Sequence, residues 1–209
     1  TTDPVSLNLL YNLSSNGMAG TGFNSLAFNP SDRFLYGINP YATGTNELYR
    51  INSAGTVQNI GNITGLTGVN EAGCMAFDGT YYVTGTSEKL FSIDISTLQA
   101  TEILDIGFKG FDLAMNPFDG LLYIWDADNS VLKSIHPTTG IATQIGFPNT
   151  QYASLGAFYF NEQGKILAYG NDVNVGANIE ETLLSIDPVT GVVTPIGIGP
   201  DADFNDGCS

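Results

Sequence analysis

Positive charge is scarce in this chain of 209 residues, which has 6 Lys and Arg side chains against 21 Asp and Glu and a formal net charge of −15. The few cations are scattered singly along the sequence and form no basic patch. A protein of this charge repels phosphate backbones and anionic lipid head groups. We therefore expect no nucleic-acid partner, whereas cations, cationic proteins and neutral polymers such as glycans remain compatible.

Long hydrophobic runs are also missing. No apolar stretch approaches the roughly 20 residues that cross a bilayer, so we expect no membrane insertion. Residues 1–4 are not the basic start of a signal peptide, and we interpret the chain as a mature or excised piece of a larger protein.

Residues for nucleophilic or zinc chemistry are few, because the chain has one His and two Cys. His136 precedes Pro137 in a strand-end turn, at the place that Asp187 takes in a related segment, which favours turn capping. Ser-His-Asp and Cys-His mechanisms need an aligned base beside the nucleophile, and one His with two distant Cys is a poor zinc ligand set. We therefore predict no catalytic residues and a protein that is not an enzyme.

Glycine and aromatic residues are abundant, with 25 Gly, 12 Phe and 10 Tyr, and only 13% of the residues are charged. This composition favours short strands and tight turns over long helices. The sequence thus predicts an all-β protein.

Four segments, at about 23–61, 70–107, 110–146 and 152–197, repeat one order of events. Each has a short apolar strand, a tight turn, a strand with aromatic residues, a third strand, a reverse turn and a fourth strand that ends in Ile-Gly. The third strands are Leu48-Tyr49-Arg50-Ile51, Leu90-Phe91-Ser92-Ile93, Leu132-Lys133-Ser134-Ile135 and Leu183-Leu184-Ser185-Ile186. Their spacing of 42, 42 and 51 residues follows from an insertion in the last segment.

Four antiparallel strands per roughly 40 to 50 residues are typical of a propeller blade, and such units must stack to bury both faces. We therefore predict a single domain, 1–209, that forms a small β-propeller of four-stranded antiparallel blades. Terminal strands at about 5–13 and 203–208 are expected to close the four repeats, and a five-bladed count is the competing interpretation. A β-sandwich is a further alternative, but it does not require repetition at this period.

The chain resembles a family of extracellular β-propeller-like domains of unknown function from bacterial surface proteins of adhesin type and fungal secreted proteins. The resemblance rests on residues 29–37, on the Leu-x-x-Ile third strands and on residues 204–208, which are similar to the closing Asn-Asp-Gly-Ala-x-Cys of that family. The tail lacks two residues before its Cys. The resemblance implies a secreted or cell-surface location and supplies no catalytic residue.

Cys74 and Cys208 both follow Gly at the start of an expected inner strand. Two half-cystines in a surface-type protein predict a disulfide between them, and two buried free thiols are the alternative.

A hard cation such as Ca²⁺ is a candidate ligand, because carboxylates alternate in the tail and Asx residues end one strand. The candidate metal ligands are Asp201, Asp203, Asn205, Asp206, Asp126 and Asp128. Solvated acids and ordinary turn formers are the competing interpretation.

Aromatic side chains and one polar insertion, at about 171–181, are the candidates for ligand binding. They are Trp125, Tyr41, Tyr152, Asn171, Asp172 and Asn174. The repeated Tyr36, Tyr82, Tyr123 and Tyr169 are expected to pack between blades.

Together these features predict a non-catalytic binding module that recognises a glycan, protein or peptide and is monomeric within a larger protein. A structural spacer of a larger surface protein is the first alternative. A hydrolase or lyase that uses carboxylates and a metal is the second, and it requires two acids to converge in a cleft.

Overall fold

The computed structural model describes residues 22–39, 46–172 and 182–199, with the backbone alone at residues 153–154 and 171–172. These residues form sixteen β-strands in chain order. The strands are β1 (Asn24–Asn29), β2 (Phe34–Asn39), β3 (Glu47–Ile51), β4 (Val57–Asn62), β5 (Asn70–Met75), β6 (Tyr81–Gly85), β7 (Lys89–Asp94), β8 (Gln99–Asp105), β9 (Gly110–Met115), β10 (Leu122–Asp126), β11 (Val131–Ile135), β12 (Ala142–Ile145), β13 (Tyr152–Phe160), β14 (Ile166–Asp172), β15 (Thr182–Ile186) and β16 (Val193–Ile198). In this part of the chain no helical segment has the length and hydropathy of a membrane span.

The strands form four separate antiparallel sheets, each made of four consecutive strands in chain order. The protein is a four-bladed β-propeller, and the predicted fold class and four repeats are confirmed. Blades 1 to 4 comprise β1–β4, β5–β8, β9–β12 and β13–β16. The predicted terminal strands at about 5–13 and 203–208 lie outside the described residues.

The first strands of consecutive blades lie side by side, β1 against β5, β5 against β9 and β9 against β13. Blades 1 and 2 approach so closely that a Cβ atom on Gly73 would lie 2.5 Å from the Ser25 carbonyl oxygen. The buried Tyr81 hydroxyl also donates a hydrogen bond to that oxygen. Glycine is therefore required at position 73 by the spacing between blades rather than by its own dihedral angles.

Three clusters of buried side chains fill the interfaces between consecutive blades. Tyr81, Phe91 and Ile93 lie between blades 1 and 2, and Phe158 and Trp125 lie between blades 3 and 4. Each interface buries apolar area that a single blade would leave in water. The repeat is stable because each copy covers its neighbour.

The tyrosine of the second strand packs between blades in blades 1 and 3 and also forms a hydrogen bond with an aspartate of the preceding turn. Tyr36 and Tyr123 are buried between blades, and their hydroxyls donate to Asp32 Oδ2 at 2.6 Å and to Asp119 Oδ2 at 2.9 Å. The pKa of both tyrosines is raised to about 12. Burial is the larger cause, and the adjacent carboxylate is the second. The strand register places Leu167 at the corresponding position of blade 4, so Tyr169 is not the repeat equivalent of these residues.

Candidate functional site

The alternating strand directions place two kinds of connection on opposite faces of the propeller. The turns that join first to second strands and third to fourth strands lie on one face, which we call the turn face. It comprises residues 29–33, 52–56, 76–80, 94–98, 116–121, 136–141, 161–165 and 187–192. The links from second to third strands and from blade to blade lie on the opposite face.

The ligand-binding residues predicted from sequence belong to the opposite face or lie outside the described residues. Trp125 is 1% exposed and Tyr152 is 3% exposed, and both pack in the core between blades 3 and 4. Neither ring presents a face to solvent, so the structure assigns them to packing instead of sugar stacking. Strand-end aromatics in a propeller also fill blade interfaces, and both rings have that position here.

The remaining predicted ligand contacts cannot be placed as side chains. Asn171 and Asp172 end β14, for which the backbone alone is described there. Tyr41 and Asn174 lie outside the described residues, and their role stays a prediction.

Asp126, predicted as a cation ligand, is enclosed by hydrogen-bond donors. Its Oδ1 accepts the N–H groups of Asp128 and Asn129 at 3.0 Å, and its Oδ2 receives Asn129 Nδ2 at 2.9 Å and Lys133 Nζ at 2.7 Å. Burial alone would raise the pKa of Asp126, but the bonds from Lys133 and Asn129 outweigh it and hold the pKa below its ordinary value. The Lys133 ammonium thus takes the place that a metal ion would need.

The other predicted cation ligands do not form a described site. Asp128 is exposed and its Oδ2 accepts the N–H of Lys109 at 3.1 Å. Within residues 22–39, 46–172 and 182–199, no three His, Cys, Asp or Glu side chains are grouped to hold a metal ion. Asp201, Asp203, Asn205 and Asp206 lie outside those ranges, so the calcium prediction there is untested.

Cys74 is 1% exposed and packs between blades 2 and 3. Burial, and then the nearby Asp112 carboxylate, raises the pKa of its thiol. Its predicted disulfide partner, Cys208, lies outside the described residues, so the disulfide stays a prediction.

The second turn of each blade is capped by the residue that ends the third strand or directly follows it. His136 Nδ1 accepts the N–H groups of Thr138 and Thr139 at 3.2 and 3.3 Å, which is the turn-capping role predicted for it. Asp94 and Asp187 occupy the same position in blades 2 and 4 and use Oδ1 in the same way. The one histidine of the chain is therefore committed to a turn.

Large apolar side chains project from the turn face. Phe77 and Phe118 are each 69% exposed, and Ile141 and Val189 are also mostly exposed. The Phe118 ring lies over the first turn of blade 4, with its Cε2 atom 3.3 Å from the position that a Cβ would take on Gly164. Exposed aromatic side chains are typical of a protein-binding surface, and Phe77 and Phe118 bring two of them to the turn face.

The charge on the turn face is predominantly negative. Its cations are Arg33 and Lys165, and its acidic residues are Asp32, Asp78, Asp94, Asp119, Glu162 and Asp187. Lys165 Nζ forms an ion pair with Asp187 Oδ2, so part of the positive charge is already neutralised.

Two clefts open at the edge of the turn face, at equivalent positions of blades 2 and 4. The blade 2 cleft has a volume of about 480 Å³ and the blade 4 cleft about 410 Å³. Register aligns Thr80, Ser92 and Asp94 of the first with Lys165, Ser185 and Asp187 of the second. Both clefts are lined by Ser and Thr side chains and by one carboxylate at the end of the third strand, Asp94 or Asp187.

These turn-face features were not among the functional residues predicted from sequence. A usable signal was present, because Phe77 and Phe118 lie inside tight turns, where large apolar side chains have no core to enter. The clefts had no such signal, since their walls combine turn residues with strand residues that only the pairing register brings together.

A family described as a repeat of unknown function, DUF6923, matches residues 10–207. The chain belongs to this family. Comparison of the DUF6923 chain with curated protein sequences gave no significant match.

Solved structures similar to the DUF6923 chain show the same kind of fold at low sequence identity. A protein of unknown function from Bacteroides thetaiotaomicron has 18% identity and a TM-score of 0.69, over 91% of this chain and 55% of that one. TolB from Acinetobacter baumannii has 17% identity and a TM-score of 0.57, over 85% and 44%. A streptogramin B lyase has 10% identity and a TM-score of 0.57, over 83% and 54%. The chain thus spans about half the length of these proteins, and the likeness shows the fold alone.

Proposed function

We propose that the protein is a non-catalytic binding module that acts outside the cell, secreted or at the cell surface, and binds a cationic segment of another protein through its turn face. The observation that carries the proposal is the combination of exposed Phe77 and Phe118 rings with the acidic turns around them. A partner of this chemistry gains both burial of aromatic area and charge complementarity.

The chemistry of the turn face favours binding over catalysis. Asp32 and Asp119 each accept a turn N–H and a tyrosine hydroxyl, and His136 caps a turn through Nδ1. Groups held in this way stabilise a rigid surface and are not poised to transfer protons to a substrate. The extracellular location is supported by the acidic, lysine-poor composition and by the resemblance to surface proteins.

Selection of peptides from a random display library against the immobilised chain tests this function. We expect the enriched peptides to combine Lys or Arg with apolar residues, to compete for one site and to bind more weakly as ionic strength rises. A glycan array run in parallel covers the other ligand class.

Matched variants locate the site. Phe77→Ser with Phe118→Ser should weaken binding of the selected peptides by about tenfold or more, because each exposed ring contributes buried apolar area in the complex. Phe147→Ser is the control, since Phe147 is 88% exposed but lies on the opposite face. Peptides without charge bias, or equal loss in both variants, would contradict the proposal, as would binding of glycans alone.

A further inference from the structure

The blade 4 cleft contains its own cation. Asp187 uses Oδ1 to accept the N–H groups of Val189 and Thr190 at 2.9 and 3.0 Å, and Oδ2 to pair with Lys165 Nζ. The pKa of Asp187 is lowered to about 2. The hydrogen bond from the Lys165 ammonium is the largest cause, and the two backbone hydrogen bonds are the next. The fold thus shows which group fits this kind of cleft: a primary ammonium beside the carboxylate, with hydroxyl walls from Ser185, Thr190 and Thr194.

The blade 2 cleft repeats the serine, the aspartate and the strand threonine of the blade 4 cleft, as Ser92, Asp94 and Thr101, without the cation. Asp94 Oδ1 accepts the Ser96 N–H at 2.8 Å and the Ser96 hydroxyl at 2.6 Å, just as Asp187 Oδ1 caps its turn. Thr80 stands where blade 4 has Lys165, so no ammonium reaches Asp94 Oδ2 from that position. Asp78, also in the cleft wall, uses Oδ1 for the Thr80 N–H at 2.9 Å.

The same position in the other two blades is filled by the chain itself. In blade 1, Phe34 takes it and the Arg50 guanidinium lies 4.6 Å from the centroid of its ring. In blade 3, Leu121 takes it and His136 replaces the carboxylate. Among the described blades, the blade 2 cleft alone combines a carboxylate with no cationic or large apolar residue at this position.

We propose that the blade 2 cleft binds a primary ammonium group, the side chain of a lysine in a partner protein, between Asp94 and Asp78. This inference rests on the proposed function, and it identifies the cleft that recognises a lysine of the cationic partner. The bound ammonium takes the place that Lys165 takes in blade 4 and is held by the carboxylate of Asp94 with the hydroxyls of Ser92 and Thr101 beside it. The size of the cleft, about 480 Å³, admits one extended lysine side chain.

Titration of the ¹⁵N-labelled chain with tetralysine, followed by NMR, tests the site directly. We expect saturable amide shifts at Thr80, Ser92, Asp94 and Thr101, and no such shifts with tetralysine acetylated on every Nζ. Asp94→Asn should weaken binding about fivefold, the upper range for an exposed ion pair. Asp187→Asn, the matched control in the other cleft, should leave these shifts unchanged.

Two exchanges between the clefts sharpen the test. Thr80→Lys supplies blade 2 with the lysine of blade 4 and should abolish the shifts, because the cleft is then filled from within. Lys165→Thr empties the blade 4 cleft and should add a second set of saturable shifts at Ser185, Asp187 and Thr194. The unperturbed remainder of each spectrum verifies that the variants are folded.

Absence of shifts in the blade 2 cleft, or shifts that persist in Thr80→Lys or with acetylated tetralysine, would overturn the inference. Failure of the cleft and failure of the proposed function remain distinct. If library-selected peptides bind, lose affinity in the Phe77 and Phe118 variant and ignore Asp94→Asn and Thr80→Lys, the turn face binds its partner without this cleft. If no peptide is selected while tetralysine still titrates the cleft, the wider function fails and the ammonium site stands.

Discussion

His136 and Asp187 hold the same turn in neighbouring blades with different chemistry. His136 Nδ1 accepts the N–H groups of Thr138 and Thr139 at 3.2 and 3.3 Å, whereas Asp187 Oδ1 accepts those of Val189 and Thr190 at 2.9 and 3.0 Å. In each blade the carbonyl of the capping residue also accepts the N–H of the glycine that ends the turn, at 2.8 Å. An imidazole nitrogen and a carboxylate oxygen thus act as the acceptor at the same position of the repeat.

We predict that His136→Asp preserves the stability of the protein and that His136→Ala lowers its free energy of unfolding by about 1 kcal/mol, the usual value of a lost side-chain cap. Urea unfolding followed by tryptophan fluorescence measures both, since Trp125 lies in the adjoining core. Equal destabilisation by the two substitutions would show that the imidazole contributes through packing instead of capping.

Asp187 should make the free energy of unfolding depend on pH in the acidic range. Its pKa in the folded protein is about 2, below that of an unfolded aspartate near 4, so its contribution is complete above about pH 4 and is lost as pH falls through 2. The pair with Lys165 is partly exposed, and we expect a contribution of at most about 1 kcal/mol.

Asp187→Asn isolates this contribution from that of the other carboxylates. The difference in melting temperature between the wild type and Asp187→Asn should be constant from pH 7 to about pH 4.5 and should shrink towards pH 2. A difference that grows with acid would have the wrong sign for a carboxylate with a lowered pKa.

Lys133 neutralises a buried carboxylate. Its Nζ lies 2.7 Å from Asp126 Oδ2 and 3.7 Å from the centroid of the Phe108 ring, while the Asp126 side chain is fully buried. Lys133→Met should cost about 3 kcal/mol, because it leaves the Asp126 charge without its partner. The double variant Asp126→Asn with Lys133→Met removes the charge as well and should recover a substantial part of that loss in chemical denaturation. A double variant as unstable as the single one would argue that the Lys133 stem contributes through packing on Phe108.

Cys74 should resist alkylation in the folded protein whether or not it is oxidised, because its side chain is buried and burial raises the pKa of the reduced thiol. Treatment with iodoacetamide at pH 8, with peptide mass analysis, tests this protection. The same labelling in denaturant without reductant tests the disulfide predicted with Cys208: Cys74 should react only after reduction. Labelling of Cys74 in denaturant alone would contradict the disulfide, and labelling of the native protein would contradict the burial.

Much of the fold could be predicted from the sequence, because its signals are local. Pairs such as Asp78-Gly79 and Asp119-Gly120 specify tight turns through their own backbone preferences. The Leu-x-x-Ile strands recur at a fixed period, and only stacking of the copies can bury both faces of each sheet. The role of His136 was accessible for the same reason, since its position in the repeat matches that of Asp187.

The candidate site was less accessible, and the aromatic residues show why. Trp125 is near the end of β10 and Phe77 follows β5 by two residues, yet the first is 1% exposed and the second 69% exposed. Which of them meets a neighbouring blade depends on the stacking geometry, and sequence spacing carries no information on that geometry. Sequence spacing therefore does not separate a buried ring such as Trp125 from an exposed ring such as Phe77.

The sequence by itself determined the order of the strands within each repeat, the turns that join them and the caps that close those turns, since each depends on residues a few positions apart. The tertiary structure decided which side chains are enclosed and which remain on the turn face. It also decided that Asp187 meets Lys165 while Asp94 meets Thr80. Those pairings join residues at the ends of different strands. The energy of an ion pair or a buried ring depends on the distance and the solvent access that stacking and strand register establish.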